Sequence, residues 1–585
     1  MILQALTEYY DRRATDAASG IAPPGWEWKA LPFLVEIDGA GSFVQLVDTR
    51  VRDGERLVAT RYLVPKAVVR TSGVKANLLW DNLEYALGAE AGQATPSARV
   101  VRQHAAFVAA IEERLRPAPA DAGLAAVLRF VRDVPLGAVM ADPLWAEVSA
   151  ANPFISFRMA GETSLICQSD AVRAALAGSS VTGASVPGGT GTCLVTGIRG
   201  PIARLHPPIK GVRGANTMGA NVVSFNLPAF ESYGRAQGDN APVGEAAAFA
   251  YTTALNSLLA PGSRQRALVA DTTVAFWGER REASTLEDAM AAFFSEPSRD
   301  NPHAGTEAVA ALYAAHRSGA VPANDGGRFY VLGLAPNAAR LAVRFWHVGT
   351  VREVGERLVA HFDDLEIARG PSDPAHPTLF RIIAATAVQG RADAVPPQLG
   401  GEVVRAILAG SPYPAPLLEG AIRRSRAERE VRHVRAATIK ACLNRLVRSS
   451  RLHTKELTVS LDPENPDPAY RLGRLFAVLE RAQEWASPGL NATIRDRYYG
   501  AASTTPLAVF PRLLALKNHH VAKIEPAGRR TWVERSIGEI TDGIAAIPAH
   551  LALPAQGAFA LGYYHQRQSF FAAKPETTET REGTN

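Results

Sequence analysis

The chain has 585 residues, of which 47% are hydrophobic and 21% charged, and a formal net charge of +6. That composition is globular but too long for one core, so roughly two to four domains are expected. No run of eighteen apolar residues occurs and MILQALTEYYDRR lacks a basic segment followed by an apolar one, so neither a membrane span nor a secretory signal is expected, and a cytoplasmic protein is.

Short strands and turns are expected over the first ninety residues: LPFLVEID is apolar and ends at Asp38-Gly39, GSFVQLVDTRV follows, and Asp53-Gly54 marks another turn. From residue 97, Val100, Val101, His104, Phe107, Val108, Ile111 and Leu115 recur at helical spacing, with His104 read as a packed histidine. A Gly/Pro-rich stretch precedes AFAYTTALNSLLA, a buried helix stopped by Pro261-Gly262. RFYVLGLAPNAARLAVRFWHV reads as two strands around Pro336-Asn337. Arg340 and Arg344 then share one face, either a basic surface or an ordinary solvated one.

After residue 400 the pattern turns helical. AIRRSRAEREVRHVRAATIKACLNRLVRSSRLHTK reads as one long helix whose eleven basic residues, Arg423 to Lys455, meet only Glu428 and Glu430. A Pro-rich break at 463–468 precedes helices over 469–486, 506–524 and 533–547, suited to a bundle. The Thr-rich tail from 572 is expected to be disordered. The expected fold is α+β: a mixed, sheet-containing N-terminal region over 1–400, a basic helical domain over 401–571 and a tail over 572–585.

Charge is unevenly spread: residues 423–571 carry 23 Lys/Arg against 13 Asp/Glu, a balance of +10 that leaves −4 for the rest. Such asymmetry points toward nucleic acid. Two loops concentrate the signal. In residues 61–80, RYLVPKAVVRTSGVKANLLW, Arg61, Lys66, Arg70 and Lys75 have no acid among them. Thr71, Ser72 and Gly73 form a small-residue turn suited to a phosphate, and Lys75 and Asn77 have the chemistry for base edges. For Trp80 and Tyr85, burial is favoured over stacking on a base.

In residues 199–219, Arg199, Arg204, Lys210 and Arg213 are also unopposed by acids. Lys210 and Arg213 are assigned to phosphates and Asn216 to a groove edge, with Gly211, Gly214 and Gly219 leaving the backbone open to a ligand. The alternative is a solvated Gly-rich connection. Asn226, Tyr233, Gln237 and Asn240 suit unstacked bases or buried backbone groups equally well. Farther on, Arg432, Arg435, Lys440, Arg445, Arg495, Arg497 and Tyr498 are candidates for holding a single strand.

Enzyme signatures are thin. GGTGT at 188–192 lacks the Lys-Ser/Thr of a phosphate-binding loop, and His519-His520 lacks HExxH spacing. Cys167, Cys193 and Cys442 form no close pair, so no metal or other cofactor is expected. A metal-dependent nuclease using Asp271, Glu279 and Asp325 is the rival from another class.

The strings ARLHPPIKGVRGA, VVSFN, AFESYG, Q-G-x-NAPV and FAYTTALN, with RTSGVKANLLWDNLEYALG before them and FYVLGLAPNAARLAVRFW, ATIRDRYYGAASTTP and QGAFALGYYHQRQ after, resemble the large subunit of type I-C CRISPR Cascade over nearly the whole chain. The resemblance implies a non-enzymatic subunit that recognises a protospacer-adjacent motif in duplex DNA, promotes R-loop formation, holds the displaced strand and helps recruit a helicase-nuclease. Its implied partners are the guide RNA, the handle-binding, repeated backbone and small subunits, and target DNA. It also implies that the C-terminal part can be made separately, here from a start near Leu457 or Val459.

Overall fold

The run Phe33–Ile37 contains one polar residue, Glu36, and is buried along its whole length, which only a strand covered on both faces allows. A computed structural model describes the chain except for residues 17–18, 55, 69, 71–72, 91–92, 94, 116–120, 179–188, 281–283, 295–326, 392–393 and 572–585. The expected tail therefore lies outside the described residues. The protein is α+β and forms two compact units, Met1–Ile209 with Val223–Ser257, and Lys210–Val222 with Leu258–Asn585.

In the first unit β1 (Trp26–Ala30) is followed by β2 (Phe33–Ile37), β3 (Phe43–Asp48), β4 (Val51–Asp53), β5 (Arg56–Val58), β6 (Arg61–Pro65), β7 (Trp80–Asp81), β8 (Ile155–Met159), β9 (Thr190–Thr192) and β10 (Arg199–Pro201). The main sheet has the order β3-β2-β8-β7, with β2 parallel to β8 and antiparallel to β3. Glu36 faces Arg158 across the parallel pair and binds it at 2.6 Å, so the one carboxylate in β2 is neutralised within the sheet. β1 pairs with β6, and β4 with β5 around the Asp53-Gly54 turn. The helix Ala98–Leu115 buries Val100, Phe107, Ile111 and Leu115, while Val101 falls off the stripe and is exposed. His104 is packed as expected, its two ring nitrogens each 2.8 Å from a carbonyl, of Tyr85 and of Val131.

The second unit opens with an antiparallel meander of β11 (Arg266–Val269), β12 (Thr272–Gly278), β13 (Arg328–Asn337) and β14 (Arg340–Thr350). The hydrophobic core is continuous from this sheet into the C-terminal helices, running from Ala267 to Tyr564. The division expected near residue 400 therefore coincides neither with the boundary between the units nor with a gap in the core. The basic face expected of β14 is partly neutralised, because Arg344 pairs with Asp271 at 2.9 Å.

The single helix expected over the arginine-rich segment is two helices, Ala415–Glu428 and His433–Arg448. Arg429 adopts a left-handed conformation (φ 56°), and the N–H of Glu430 turns back to the carbonyl of Ser425 at 3.0 Å, which terminates the first helix. The Pro-rich break lies where expected: Asp467 caps the helix Pro468–Ala486 by accepting from the amides of Ala469 and Tyr470.

That helix packs along Leu553–Ser569 so closely that a Cβ on Gly473 would stand 2.0 Å from the carbonyl oxygen of Phe559, and one on Gly562 would stand 2.0 Å from that of Tyr470. The crossing also buries Glu480, which accepts from Tyr563 (2.6 Å), Thr493 (2.9 Å) and Arg567 (3.2 Å). Since neither backbone can yield without moving a helix, Gly562→Ala is expected to destabilise the protein by about 3 kcal/mol or more. Thermal unfolding checks this by a lowered Tm.

His565 lies in the same crossing, 2.9 Å from the Tyr470 hydroxyl, and burial pushes its pKa down to about 4. The unfolded chain binds this proton near pH 6.5 while the folded chain refuses it until about pH 4. Its contribution is therefore intact above pH 6.5 and lost as acidity increases from there to about pH 4. Urea melts at pH 7 and pH 4.5 should show the parent losing about 2–3 kcal/mol more than His565→Gln over that interval.

Candidate nucleic-acid interface

Strand β6 delivers the first basic loop, and Trp80 anchors its far end by donating from Nε1 to the carbonyl of Pro65 at 2.7 Å. Trp80 and Tyr85 are buried, as expected. Beside them the Asp81 carboxylate, fully buried, accepts from the amides of Asn77 and Asn82 and from the Arg70 guanidinium. Burial raises its pKa in spite of these donors. Arg70 also donates to the carbonyl of Lys75 at 2.7 Å and lies 4.2 Å from the Tyr85 ring centroid. It is thus a strut that closes the loop, and Lys75 is left exposed at the loop's rim.

Asn77 corrects the expectation of a base-reading side chain. It is buried, and its Oδ1 accepts from the amide of Val68 at 3.0 Å, so its polar group holds the loop shut. Lys66 is only partly exposed, with its ammonium 4.8 Å from the Phe249 ring centroid and its pKa lowered by burial. Arg61 remains exposed on β6. Thr71 and Ser72 lie outside the described residues. Two arginines that sequence reasoning missed, Arg52 and Arg56, stand exposed on the β4–β5 ribbon; the signal for them is an Asp-Gly turn flanked closely by arginine on both sides.

Of the second loop, Arg199 and Arg204 belong to the first unit, whereas the part from Lys210 onward belongs to the second. Its base is stitched to that unit's sheet: the amide of Arg213 donates to Thr273 Oγ1 at 3.0 Å, and that of Leu341 to the carbonyl of Asn221 at 2.8 Å. Gly211 has φ +85°, and a Cβ there would be 2.5 Å from the carbonyl oxygen of Leu259. This glycine is required by packing on the body of the unit, a different reason from the ligand approach expected. Lys210, Arg213 and Asn216 are all exposed. The Asn216 carboxamide oxygen accepts from the amide of Met218 at 2.9 Å, which fixes the turn at the tip. Arg213 also borders an open cleft of about 330 Å³ lined by Leu268, Ala270 and Phe380.

Among the C-terminal candidates the structure separates inner cations from outer ones. The helix His433–Arg448 is surrounded on nearly every side. Arg435 points to Glu428 (2.6 Å) and to the carbonyl of Ala385 (2.9 Å), and Lys440 donates to the carbonyl of Asp364 at 2.9 Å. Arg445 binds the Asp364 carboxylate at 2.6 Å and the carbonyls of Ala406 and Ser411. All three are buried, so the expectation that they line a strand-binding groove is corrected: their charges are matched inside the fold. The signal in the sequence is that Ala436, Ala437, Ile439, Ala441, Cys442 and Leu443 leave that helix no polar stripe. Burial lowers the pKa of Lys440.

Arg495 turns toward the buried Glu480 at 3.6 Å, and Tyr498 is half-buried against the core. Arg432, paired with Glu430 at 2.9 Å, and Arg497 remain exposed, together with Arg423, Arg426 and Arg429. The cationic display is thus carried by helix ends and one helix face.

Of the carboxylates of the nuclease reading, the two that are described, Asp271 and Glu279, are not gathered. Asp271 and Glu279 flank opposite ends of β12, about 25 Å apart along the strand. Asp271 is held by Arg344 and Glu279 accepts from the amide of Arg328. Asp325 lies outside the described residues. Among the described residues no three His, Cys, Asp or Glu side chains are grouped to hold a metal ion, and no helix is long and apolar enough to cross a membrane. The GGTGT segment contributes Thr190–Thr192 to β9.

These features define a two-unit α+β protein whose unburied cations are concentrated on anchored loops and helix surfaces. The CRISPR-associated protein family Cas_Csd1 matches residues 6–571, and the chain belongs to that family. No curated protein matches it.

The division between inner and outer cations has a measurable consequence. Arg445→Ala leaves Asp364 with less compensation and is expected to cost about 3 kcal/mol or more, whereas Lys75→Ala should stay within about 0.5 kcal/mol of the parent. Urea unfolding midpoints of the two variants check this.

Proposed function

We propose that this chain is the non-catalytic large subunit of a type I-C RNA-guided surveillance complex. It recognises the protospacer-adjacent motif in double-stranded DNA, promotes R-loop formation, holds the displaced strand and helps recruit the helicase-nuclease. It works in the cytoplasm with the guide RNA and the handle-binding, backbone and small subunits. The observation that carries this reading is the loop within Lys210–Val222: its backbone is hydrogen-bonded to a buried sheet while Lys210, Arg213 and Asn216 face outward. A pre-ordered cationic loop meets phosphates without the entropy cost of ordering a free one. Membership of a CRISPR-associated family supplies the setting in which guide RNA reads the long target and protein reads a few base pairs.

Binding to short duplexes across a salt series tests the proposal. Removing one cation that neutralises a phosphate is expected to reduce the slope of log K against log salt by about 0.9. Lys210→Ala/Arg213→Ala should therefore weaken binding at low salt and flatten the slope by about 2, with no cleavage in magnesium by parent or variant. An unchanged slope, or cutting abolished by Asp271→Asn, would remove the basis of the reading.

A further inference from the structure

Of Asn226, Tyr233, Gln237 and Asn240, the structure gives Asn240 and Tyr233 opposite tasks. Ser232 and Arg235 form an isolated antiparallel bridge, the amide of Arg235 donates to the carbonyl of Ser232 at 3.0 Å, and Tyr233 and Gly234 both have positive φ, 52° and 69°. This is the pattern of a type I′ turn, whose first central position favours Asn, Asp or Gly and disfavours a bulky ring. Asn240 clamps the turn from below: its Oδ1 accepts from the amide of Ser232 at 3.0 Å and its Nδ2 donates to the carbonyls of Arg235 and Gln237 at 2.9 and 3.0 Å. The amide of Gly238 donates to the carbonyl of Arg204 at 3.1 Å and ties the clamp to the preceding segment. On this pedestal Tyr233 is 98% exposed.

A tyrosine here serves neither the turn, where it is a poor fit, nor the core, which it does not touch. An outlier of this kind, over-determined by its surroundings, marks a side chain held for an external contact. Its immediate neighbours in sequence, Glu231, Ser232, Gly234 and Arg235, carry no apolar side chain, and the exposed Phe230 and Leu227 come three and six positions earlier, outside the turn. A flat ring with both faces open and an arginine two positions away suits one partner chemistry, an unpaired nucleobase, which needs only a π face and tolerates any sequence.

We propose that Tyr233 is a rigid stacking platform for an unpaired base of single-stranded DNA. This inference rests on the nucleic-acid reading above and deepens it by assigning an interaction that is independent of charge. The test uses the full-length chain, a mixed-sequence single-stranded oligonucleotide carrying 2-aminopurine, and a duplex of the same sequence. Tyr233→Asn supplies a residue the turn prefers and removes the ring. It should unfold at the parent's Tm or higher, bind the single strand about 5- to 100-fold more weakly with an unchanged salt slope, and abolish stacking-dependent quenching of 2-aminopurine. Tyr233→Phe should retain affinity and quenching, and duplex binding should be the same in all three proteins.

Single-strand affinity within about twofold of the parent for Tyr233→Asn overturns the inference. So does an equal loss on the duplex, or a loss of assembly with other protein subunits while single-strand affinity is retained. If Lys210→Ala/Arg213→Ala flattens the duplex salt slope while Tyr233→Asn changes nothing, the stacking inference alone fails. If the parent binds neither oligonucleotide, both readings fail.

Discussion

A guanidinium or ammonium group taken out of water must find carboxylates and carbonyls in its place, and the Asp364 cluster shows how far this requirement shapes the second unit. Asp364 lies on the helix Val351–Leu365 and receives Arg445 and Arg448, while its main-chain carbonyl receives Lys440. Three cations of one helix are thereby joined to one turn of another. Arg445 extends the link by lying 4.1 Å from the Tyr413 ring centroid and donating to two carbonyls beyond it. Loss of one member of such a cluster leaves a buried charge uncompensated, which costs far more than a surface pair contributes. The rotation of His433–Arg448 about its own axis is therefore fixed by charge as well as by apolar packing.

The same constraint explains what the sequence showed and what it concealed. Local signals were legible: the apolar run of β2, the β13–β14 hairpin, the proline break before Asp467 and the stripe of Ala98–Leu115 all depend on neighbours within a few residues. The sorting of Lys440 and Arg445 to the interior depends on Asp364, about eighty residues away, and that of Arg435 on Glu428 and on the carbonyl of Ala385, fifty residues away, which no spacing rule locates. The break at Arg429 was equally hidden, since arginine rarely adopts the left-handed conformation and nothing in its composition announces it. A dense run of basic residues thus overstates the charge available to a ligand.

Asn77 illustrates the converse. Its place among unopposed basic residues suggested an interaction with bases, yet a carboxamide is also well suited to satisfy a stranded backbone amide, and Val68 supplies one. Arg70 is similar, since its charge is absorbed by a carboxylate only eleven positions later, a pairing that sequence proximity permits but does not require. The division of the chain into two units adds a further limit. Residues 210–222 are flanked on both sides by segments of the first unit and yet pack with the second, a crossing that only long-range pairings such as Leu341 with Asn221 establish.

On any surface that binds nucleic acid, charge and stacking divide the work in a physically necessary way. Cations on loops and helix faces attract any phosphate chain and release counterions as they bind, so their contribution fades as salt rises. An aromatic ring contributes only once a base has left its own stack, and its contribution is nearly indifferent to salt. A protein that carried cations alone would hold paired and unpaired DNA with little distinction. A ring fixed on an inflexible turn adds a term available to the separated strand and withheld from the intact helix, which shifts the balance toward the open form by the difference in affinity between the two. The strain of Tyr233 and the clamp of Asn240 are consistent with that requirement, because a ring free to fold back onto the protein would lose part of the difference on ordering.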